Sequence, residues 1–392
     1  MRKIAFALLL TLCAAAVFAQ DFTISGEMKT GIVQTKYENQ LDDPYTNTTA
    51  GHKDDAGAGP GRFRINAEYF NQDINVGFKF RVNWEYWNLS DREPVPAWSY
   101  AFGFAKFFDQ QVTMSLGRLG ASPWGTGGPE AWKELEAIGT TAGIRFEVEP
   151  HAVPGLNVGL VLNGLNTGTD VWNTPKEPIT FWHILQETVV GVSYTHEWFH
   201  ARTALRFDSE VDGNRSRPDG KQGAELVYRL EERALEKFVP GLKLWAMGYI
   251  YGIGASEGNK EDFSTWNWLF AEYAPSLFTA QIRFGYDAVP DLHTLYIKPS
   301  FYFKLFDNLI KVGASFEYKK DFGNLGDYKD SFYRKIELKP LVQVNVNSNA
   351  YVAFEYSFSR EYVKYIGTDY ETMGLEPLVQ NQWMNLRVGV TF

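Results

Sequence analysis

The chain has 392 residues, and 38 lysines and arginines against 47 aspartates and glutamates give it a formal charge of −9 at pH 7. Aromatic residues make up 16% of the chain, which excludes the aromatic-poor composition of a disordered protein. The acidic balance argues against nucleic-acid binding, and after Ala19 no apolar run reaches the ~18 residues that a membrane-spanning helix needs.

The beginning of the chain has the pattern of an export signal. Arg2 and Lys3 precede a short apolar run and a small residue at the cleavage position, which predicts a signal peptide at residues 1–19. The one cysteine, Cys13, lies inside this run, and a leucine stands before it where lipoprotein processing needs a small residue. Residues 20–392 are therefore expected to form no disulfide, cysteine–zinc site or catalytic thiol.

The rest of the chain repeats one pattern, in which apolar and polar residues alternate over roughly ten positions and are followed by a break. Residues 76–86, 278–287 and 310–318 show it most clearly. A period of two predicts strands with one oily and one polar face. Short helical turns are expected only at 130–138 and 231–238.

About eighteen segments of this kind can be counted along the chain. They lie at 22–37, 62–71, 74–87, 98–108, 111–119, 139–149, 156–163, 187–195, 199–208, 222–230, 242–251, 263–273, 277–287, 294–306, 309–319, 334–344, 350–360 and 382–392.

The gaps between these segments alternate in length, long ones such as 120–138 with short ones such as Asp307-Asn308. Long loops at one rim, tight turns at the other and an even strand number are typical of bacterial outer-membrane barrels. The sequence thus predicts an all-β fold, a closed antiparallel transmembrane β-barrel of about 18 strands, with 16 also compatible. This single domain spans 20–392, with long extracellular loops and short periplasmic turns.

A soluble β-sandwich is the alternative, because strands with one oily and one wet face also suit that fold. The oily rows carry almost no charge, with Lys106 and Arg118 as the main exceptions. Since a lysine or arginine facing lipid at mid-bilayer costs ~2–4 kcal/mol, this scarcity favours the membrane barrel. Aromatic residues near strand ends, such as Trp198 and Phe306, fit the girdles at the two membrane interfaces.

Three further features carry a resemblance to a known class. The last strand ends in Phe392, Leu116-Gly117-Arg118 precedes a long third loop, and the opening at 20–26 is similar to many spirochaete outer-membrane proteins. Together with the signal peptide and strands, these features resemble a Gram-negative general or sugar-specific porin. The resemblance implies a passive channel, commonly a homotrimer, whose third loop at about 120–138 folds inward. It also implies that the outer-membrane assembly machinery reads Phe392.

Two motifs suggest enzymes, and their context argues against both. The segment His196-Glu197-Trp198-Phe199-His200 matches the H-E-x-x-H zinc pattern, which requires a helix. Here it lies between two predicted strands and is expected to form a tight turn. The glycine-rich segment 251–258 follows a strand but precedes no helix, unlike a dinucleotide-binding loop. We therefore expect no enzymatic activity, no metal site and no cofactor.

Residues that alternate with the oily rows are expected to line the barrel, where the pattern places 17 basic and 10 acidic side chains. A water-filled pore is the favoured interpretation, and a plugged or narrow barrel is the alternative. Four basic residues lie on two neighbouring strands, where like charges would repel unless water or acids faced them. If the third loop folds inward, its acids could take that position. The candidate pore-lining and constriction residues are Arg62, Arg64, Lys79, Arg81 and Arg145 on the wall, and Glu130, Glu134 and Glu136 in the third loop.

Aromatic residues on the predicted inner rows suggest a second role. Maltoporin-like channels, which this chain resembles in class, stack sugars on such rings. The candidate solute-stacking residues are Trp124, Trp132, Trp245, Tyr249, Tyr296 and Tyr302. The alternative is that these rings fill girdles, because a register error of one residue exchanges the two faces. The strands that carry Tyr249 and Tyr296 are not neighbours, so a continuous path would need the third loop.

The function that these patterns favour is an outer-membrane porin, a passive diffusion channel for small hydrophilic solutes and ions. The expected partners are the outer-membrane lipid bilayer, the assembly machinery, the solutes and other copies of the chain. The alternative is a surface adhesin or a structural barrel.

Overall fold

A computed structural model of the protein describes fourteen stretches of the chain. They are residues 22–39, 45–50, 52–54, 57–59, 61–86, 96–119, 123–125, 142–162, 188–206, 224–253, 263–289, 292–323, 332–364 and 378–392. The predicted signal peptide lies outside them, as does most of the third loop.

The described residues are almost entirely strands. The strands are β1 (Phe22–Asn39), β2 (Tyr45–Ala50), β3 (His52–Asp54), β4 (Gly57–Gly59), β5 (Gly61–Asn71), β6 (Val76–Tyr86), β7 (Pro96–Phe107), β8 (Val112–Arg118), β9 (Ala142–Val148), β10 (Leu156–Leu162), β11 (Val189–Thr195), β12 (Phe199–Arg206), β13 (Ala224–Glu232), β14 (Leu242–Ile253), β15 (Ser264–Tyr273), β16 (Phe278–Val289), β17 (Leu292–Leu305), β18 (Ile310–Gly323), β19 (Phe332–Asn347), β20 (Ala350–Lys364) and β21 (Leu378–Thr391). One short helix, α1 (Ala234–Phe238), lies between β13 and β14.

Eighteen of these strands, β1 and β5 to β21, form a closed antiparallel barrel. Each pairs with the next in chain order, and β21 pairs back onto β1. Strand β2 pairs with the far half of β1, and β3 pairs with β4 in a separate two-stranded sheet. The predicted closed barrel of about 18 strands is confirmed. All eighteen predicted segments correspond to barrel strands, with ends that differ by a few residues.

The seam of the barrel joins β1 to the residue after β21. The amide N of Gly26 donates to the carbonyl O of Phe392 at 2.7 Å, and the Phe392 amide donates back to the Gly26 carbonyl at 3.0 Å. The Phe392 ring stacks against Phe63, with ring centroids 6.3 Å apart. This pairing extends the β1–β21 hydrogen-bond ladder by one residue beyond the Glu27–Thr391 pair. The first and last strands of the sheet are therefore joined up to the last residue.

The two faces of the barrel differ in chemistry, as the alternation predicts. Large apolar side chains are exposed on the outer face, including Ile32, Leu269 and Leu338, while polar side chains such as Glu225 and Asn385 are buried on the inner face. Strands with this division can present the oily row to lipid and the polar row to water in the lumen.

Strand β7 departs from the predicted facing. The sequence placed Lys106 in an oily row, but Lys106 pairs with Thr113 on the inner face, and its Nζ lies 5.0 Å from the centre of the Phe70 ring. An irregularity next to Trp98 shifts the register between β6 and β7, so that Arg81 is opposite Tyr100. Because the strand is apolar on both faces, hydrophobicity alone does not determine which row points inward. Arg118, on the outer row, faces as predicted.

The connections at one rim are short, as predicted from the gap lengths. Asp307 and Asn308 form such a turn with φ values of 53° and 69°, a left-handed conformation that aspartate and asparagine tolerate better than most residues. The helical turn expected at 231–238 is present as α1, and the one expected at 130–138 lies outside the described residues. In the part of the chain that the structure describes, no helix is long and apolar enough to cross a membrane.

Candidate functional site

The inner wall formed by β1, β5 and β6 carries the basic residues selected from the sequence. Glu27 lies between two of them, with Oε1 2.7 Å from Nη2 of Arg62 and 2.9 Å from Nη1 of Arg64. The Lys29 Nζ is 3.7 Å from the other Glu27 oxygen. One carboxylate on β1 therefore holds three cations in place. The sequence contained this acid, but alternation within one strand does not show which residues of the next strand lie beside it.

The neighbouring cations on β6 also have partners on the wall. Lys79 forms an ion pair with Glu68 at 2.6 Å, and Arg81 Nε donates to Asn66 Oδ1 at 2.6 Å. The Arg81 guanidinium also lies 4.9 Å from the centre of the Tyr100 ring. Acids of the third loop are therefore not required to separate these charges. Three acids and one tryptophan proposed from the sequence lie outside the described residues: Glu130, Glu134, Glu136 and Trp132.

Arg145 belongs to a different part of the inner wall. Its Nε is 2.7 Å from Glu147 Oε1, and its guanidinium lies 5.6 Å from the centre of the Phe102 ring. Only 6% of the residue is exposed. The structure thus separates Arg145 from the four cations of β5 and β6, with β7 and β8 in between.

Trp124, from the segment that follows β8, packs inside the barrel and is fully buried. Its Nε1 donates to Asn157 Oδ1 at 2.7 Å, and Asn157 Nδ2 donates in turn to Glu149 Oε1 at 2.8 Å. The apolar residues around it form one cluster on the inner face: Phe102, Phe104, Leu119, Val161, Val189, Ala204 and Val227. The described residues 123–125 therefore lie against the inner wall.

Two glycines provide the space that Trp124 occupies. A Cβ at Gly159 would lie 2.3 Å from the indole, and a Cβ at Gly191 would lie 2.1 Å from it. Gly159 and Gly191 are paired across β10 and β11, so the absence of both side chains creates a flat surface under the ring. In the sequence, these glycines are only two small residues within apolar strands. Their role becomes clear from their contact with Trp124, which is distant in the sequence.

The predicted aromatic residues on β14 face the lumen and stack on a neighbouring strand. The ring centroids of Trp245 and Phe270 are 3.8 Å apart, and those of Tyr249 and Trp266 are 4.9 Å apart. Strand β15 therefore contributes a row of inner aromatics that the sequence analysis missed. The signal was present, since Trp266, Trp268 and Phe270 alternate with Asn267 and Leu269.

This row reaches Tyr296 on β17 without help from the third loop. The Trp268 and Tyr296 rings lie 5.3 Å apart, across Gly285, where a Cβ would meet the indole at 2.6 Å. Trp268 is only 3% exposed and Phe270 only 5%, so these two rings offer little free surface to a solute. Tyr302 lies farther along β17, with the Lys311 Nζ 4.3 Å from its ring centre.

The inner face carries a smaller basic excess than the sequence predicted. Strand register adds Lys106 and Lys319 to the 17 predicted basic residues, giving 19. It also adds four acids to the predicted 10, giving 14: Glu231, Glu272, Asp321 and Glu361. The count covers the barrel strands that the structure describes, and the wall is still basic.

The H-E-x-x-H segment forms the tight turn expected from the sequence. Strand β11 ends at Thr195 and β12 begins at Phe199, with the His196 amide donating to the Phe199 carbonyl at 2.8 Å. His200 lies on β12 beside Arg233, 3.2 Å from its Nη2. Among the described residues, no group of three or more histidine, cysteine, aspartate or glutamate side chains is arranged to hold a metal ion.

Comparison with known proteins gives matches in structure alone. No protein-family model matches the sequence, and no curated protein matches it. Similar solved structures include OmpT lacking loop L8, an outer membrane protein of Vibrio cholerae, at 12% identity and a TM-score of 0.48. The match covers 95% of this chain and 99% of that one. An anion-selective porin from Comamonas acidovorans matches at 10% identity and a TM-score of 0.49, covering 95% of this chain and 99% of that one.

A triple mutant of the Rhodopseudomonas blastica porin matches at 11% identity and a TM-score of 0.42, covering 95% of this chain and all of that one. At such identities and TM-scores, conclusions about function have to come from this chain's own residues. Its closed 18-strand architecture, apolar outside and charged inside, is that of a porin-like outer-membrane β-barrel.

Proposed function

We propose that the protein is an outer-membrane channel for the passive diffusion of small hydrophilic solutes and ions. The observation that carries the proposal is the division of the barrel wall, with exposed apolar residues outside and ion-paired residues inside. Lipid would cover the outer face, and water is needed to solvate the inner one. Barrels of 16 to 18 strands are wide enough to contain an aqueous channel.

The proposal includes several features that rest on the sequence. Cleavage of residues 1–19, assembly as a homotrimer and recognition of Phe392 by the assembly machinery stay predictions. Stacking of sugars on the inner aromatic residues also stays a prediction. We also propose that the protein is not an enzyme.

Reconstitution into planar bilayers tests the channel directly. Folded protein is expected to insert in discrete steps of conductance at neutral pH in potassium chloride. A different gel mobility of unheated and boiled samples would show that the protein is folded. Folded protein that inserts and gives no current steps would contradict a diffusion channel.

The basic wall of β5 and β6 gives a second prediction. Replacing Arg64 and Arg81 with alanine is expected to shift the ion selectivity towards cations, because two inner cations are removed while Glu27 and Glu68 stay. Reversal potentials in a potassium chloride gradient would measure the change. Arg334→Ala plus Arg360→Ala provides a control with the same charge change on outer rows, since Ile336 and Arg360 pair there. Unchanged conductance and selectivity in the inner double variant would argue against a constriction at this wall.

A further inference from the structure

A cavity of about 250 Å³ lies on the inner wall formed by β16 to β21, in the half of the barrel near the short turns. It is on a different part of the wall from Arg62, Arg64, Lys79 and Arg81. We propose that this cavity is a binding site for small oxyanionic solutes, those that carry a carboxylate or phosphate group, on their way through the channel. The inference rests on the proposed function and adds to it a class of solute.

The charge of the cavity lining favours an anion. Five basic residues line the cavity with two acidic ones: Arg283, Lys298, Lys311, Lys339 and Arg387, against Glu317 and Glu355. Side-chain exposure is 18% for Lys298, 11% for Lys339 and 14% for Arg387. Cations grouped with limited access to bulk water interact more strongly with an anion than exposed lysines would.

Ion pairs hold several of these cations at fixed positions. Lys298 Nζ lies 3.2 Å from Glu317 Oε2, and Arg387 Nη2 lies 3.2 Å from Glu355 Oε2. Lys339 Nζ is 3.8 Å from Glu337, a carboxylate that Lys335 approaches more closely, at 2.9 Å. Because the same carboxylate serves two lysines, its attraction for Lys339 is shared, and the cation can also interact with a ligand.

Neutral hydrogen-bonding groups complete the lining. Hydroxyls and amides alternate with the charges: Thr279, Gln281, Ser300, Tyr302, Ser315 and Gln343. One of these groups is already oriented, since Ser300 Oγ donates to Gln281 Oε1 at 3.2 Å. Hydroxyl and amide groups can bond to the hydroxyls of a solute while the cations bind its charged group.

The size of the cavity is sufficient for a small ligand. A volume of about 250 Å³ corresponds to roughly eight water molecules at ~30 Å³ each. Phosphate or a small hydroxycarboxylate such as citrate fits this space. The probes for the test are therefore compact anions.

The test uses inorganic phosphate and citrate as probes of the full-length folded protein. Each probe is expected to reduce the chloride current through single channels as its concentration rises. In the double variant Lys311→Gln plus Lys339→Gln, the half-blocking concentration is expected to rise roughly tenfold or more, the scale of losing charge-assisted hydrogen bonds. Titration calorimetry of the folded protein in detergent measures the same binding without requiring conduction.

A matched control is Lys106→Gln plus Arg202→Gln, which removes two inner-face cations on β7 and β12, away from the cavity. This control is expected to keep the affinity of the wild-type protein. Block by one probe alone would identify the preferred oxyanion, carboxylate or phosphate, and would support the site. Equal weakening in both double variants, or no binding of either probe to folded wild-type protein, would overturn it. Folded wild-type protein that gives no current steps but still binds a probe would contradict the proposed channel function and would support the binding site.

Discussion

Folded protein carrying Gly26→Val is expected to be less stable than wild type by ~2–3 kcal/mol, the upper range for overpacking a filled site. A Cβ at position 26 would lie 2.4 Å from the Phe392 ring and 2.7 Å from the carbonyl O of Arg64. The ring can rotate away, but the carbonyl belongs to the backbone of β5, which pairs with β1. The substitution therefore strains the seam between the two edges of the sheet.

Gly103→Val is the matched control on the same outer face. A Cβ at Gly103 has a single neighbour in range, the Gly77 carbonyl O, at 3.8 Å. Valine there is expected to be neutral or to stabilise the strand by less than ~1 kcal/mol. Urea titration of protein refolded in lipid vesicles, followed by tryptophan fluorescence, compares the two variants. Similar midpoints for both would show that the contacts at Gly26 do not constrain the seam.

Removing the Trp124 side chain is expected to increase closing events in single-channel recordings several-fold. Alanine at this position loses a fully buried indole and its hydrogen bond to Asn157, at a cost of ~3–5 kcal/mol. Residues 123–125 would then be released from the inner wall and free to move into the pore. The barrel itself should still fold, because Trp124 belongs to no strand.

A second variant tests the same contact from the opposite side. Gly191→Leu would place a side chain where the indole now lies, 2.1 Å from a Cβ, and is expected to displace Trp124 with the same effect on the current. Trp198→Ala removes a tryptophan that is 59% exposed in a short turn and should leave the traces unchanged. If neither Trp124→Ala nor Gly191→Leu increases the frequency of closing events, the contact between Trp124 and the inner wall does not restrain residues 123–125.

The alternation of residue types was enough to predict the architecture. A closed barrel applies one rule to its eighteen strands, oily outside and polar inside, so a period of two recurs along most of the chain. It also predicted the inward facing of Arg62, Arg64, Lys79, Arg81 and Arg145, since each alternates with apolar residues of its strand. The gap lengths distinguished the two rims of the barrel. Short and long gaps alternate along the chain, and in an antiparallel barrel alternate connections lie at opposite rims.

Strand β7 shows where this rule fails. Its inner residues Phe102 and Phe104 are as apolar as lipid-facing ones, because they pack in the cluster around Trp124. The oily row was therefore assigned to the wrong face, and Lys106 with it. The sequence alone does not show that a segment returning into the barrel supplies an apolar environment on the inside.

The partners of the inner charges were likewise determined by the tertiary structure. The sequence by itself established the strands and most of their facing, since these depend on neighbours within each strand. The gap lengths and the barrel pattern predicted that consecutive strands pair. The sequence did not establish that Glu27 sits between Arg62 and Arg64, that Gly159 and Gly191 make room for Trp124, or that side chains of six strands line one basic cavity. Those contacts depend on the register between strands and on chain closure, which bring together residues that are far apart in the sequence.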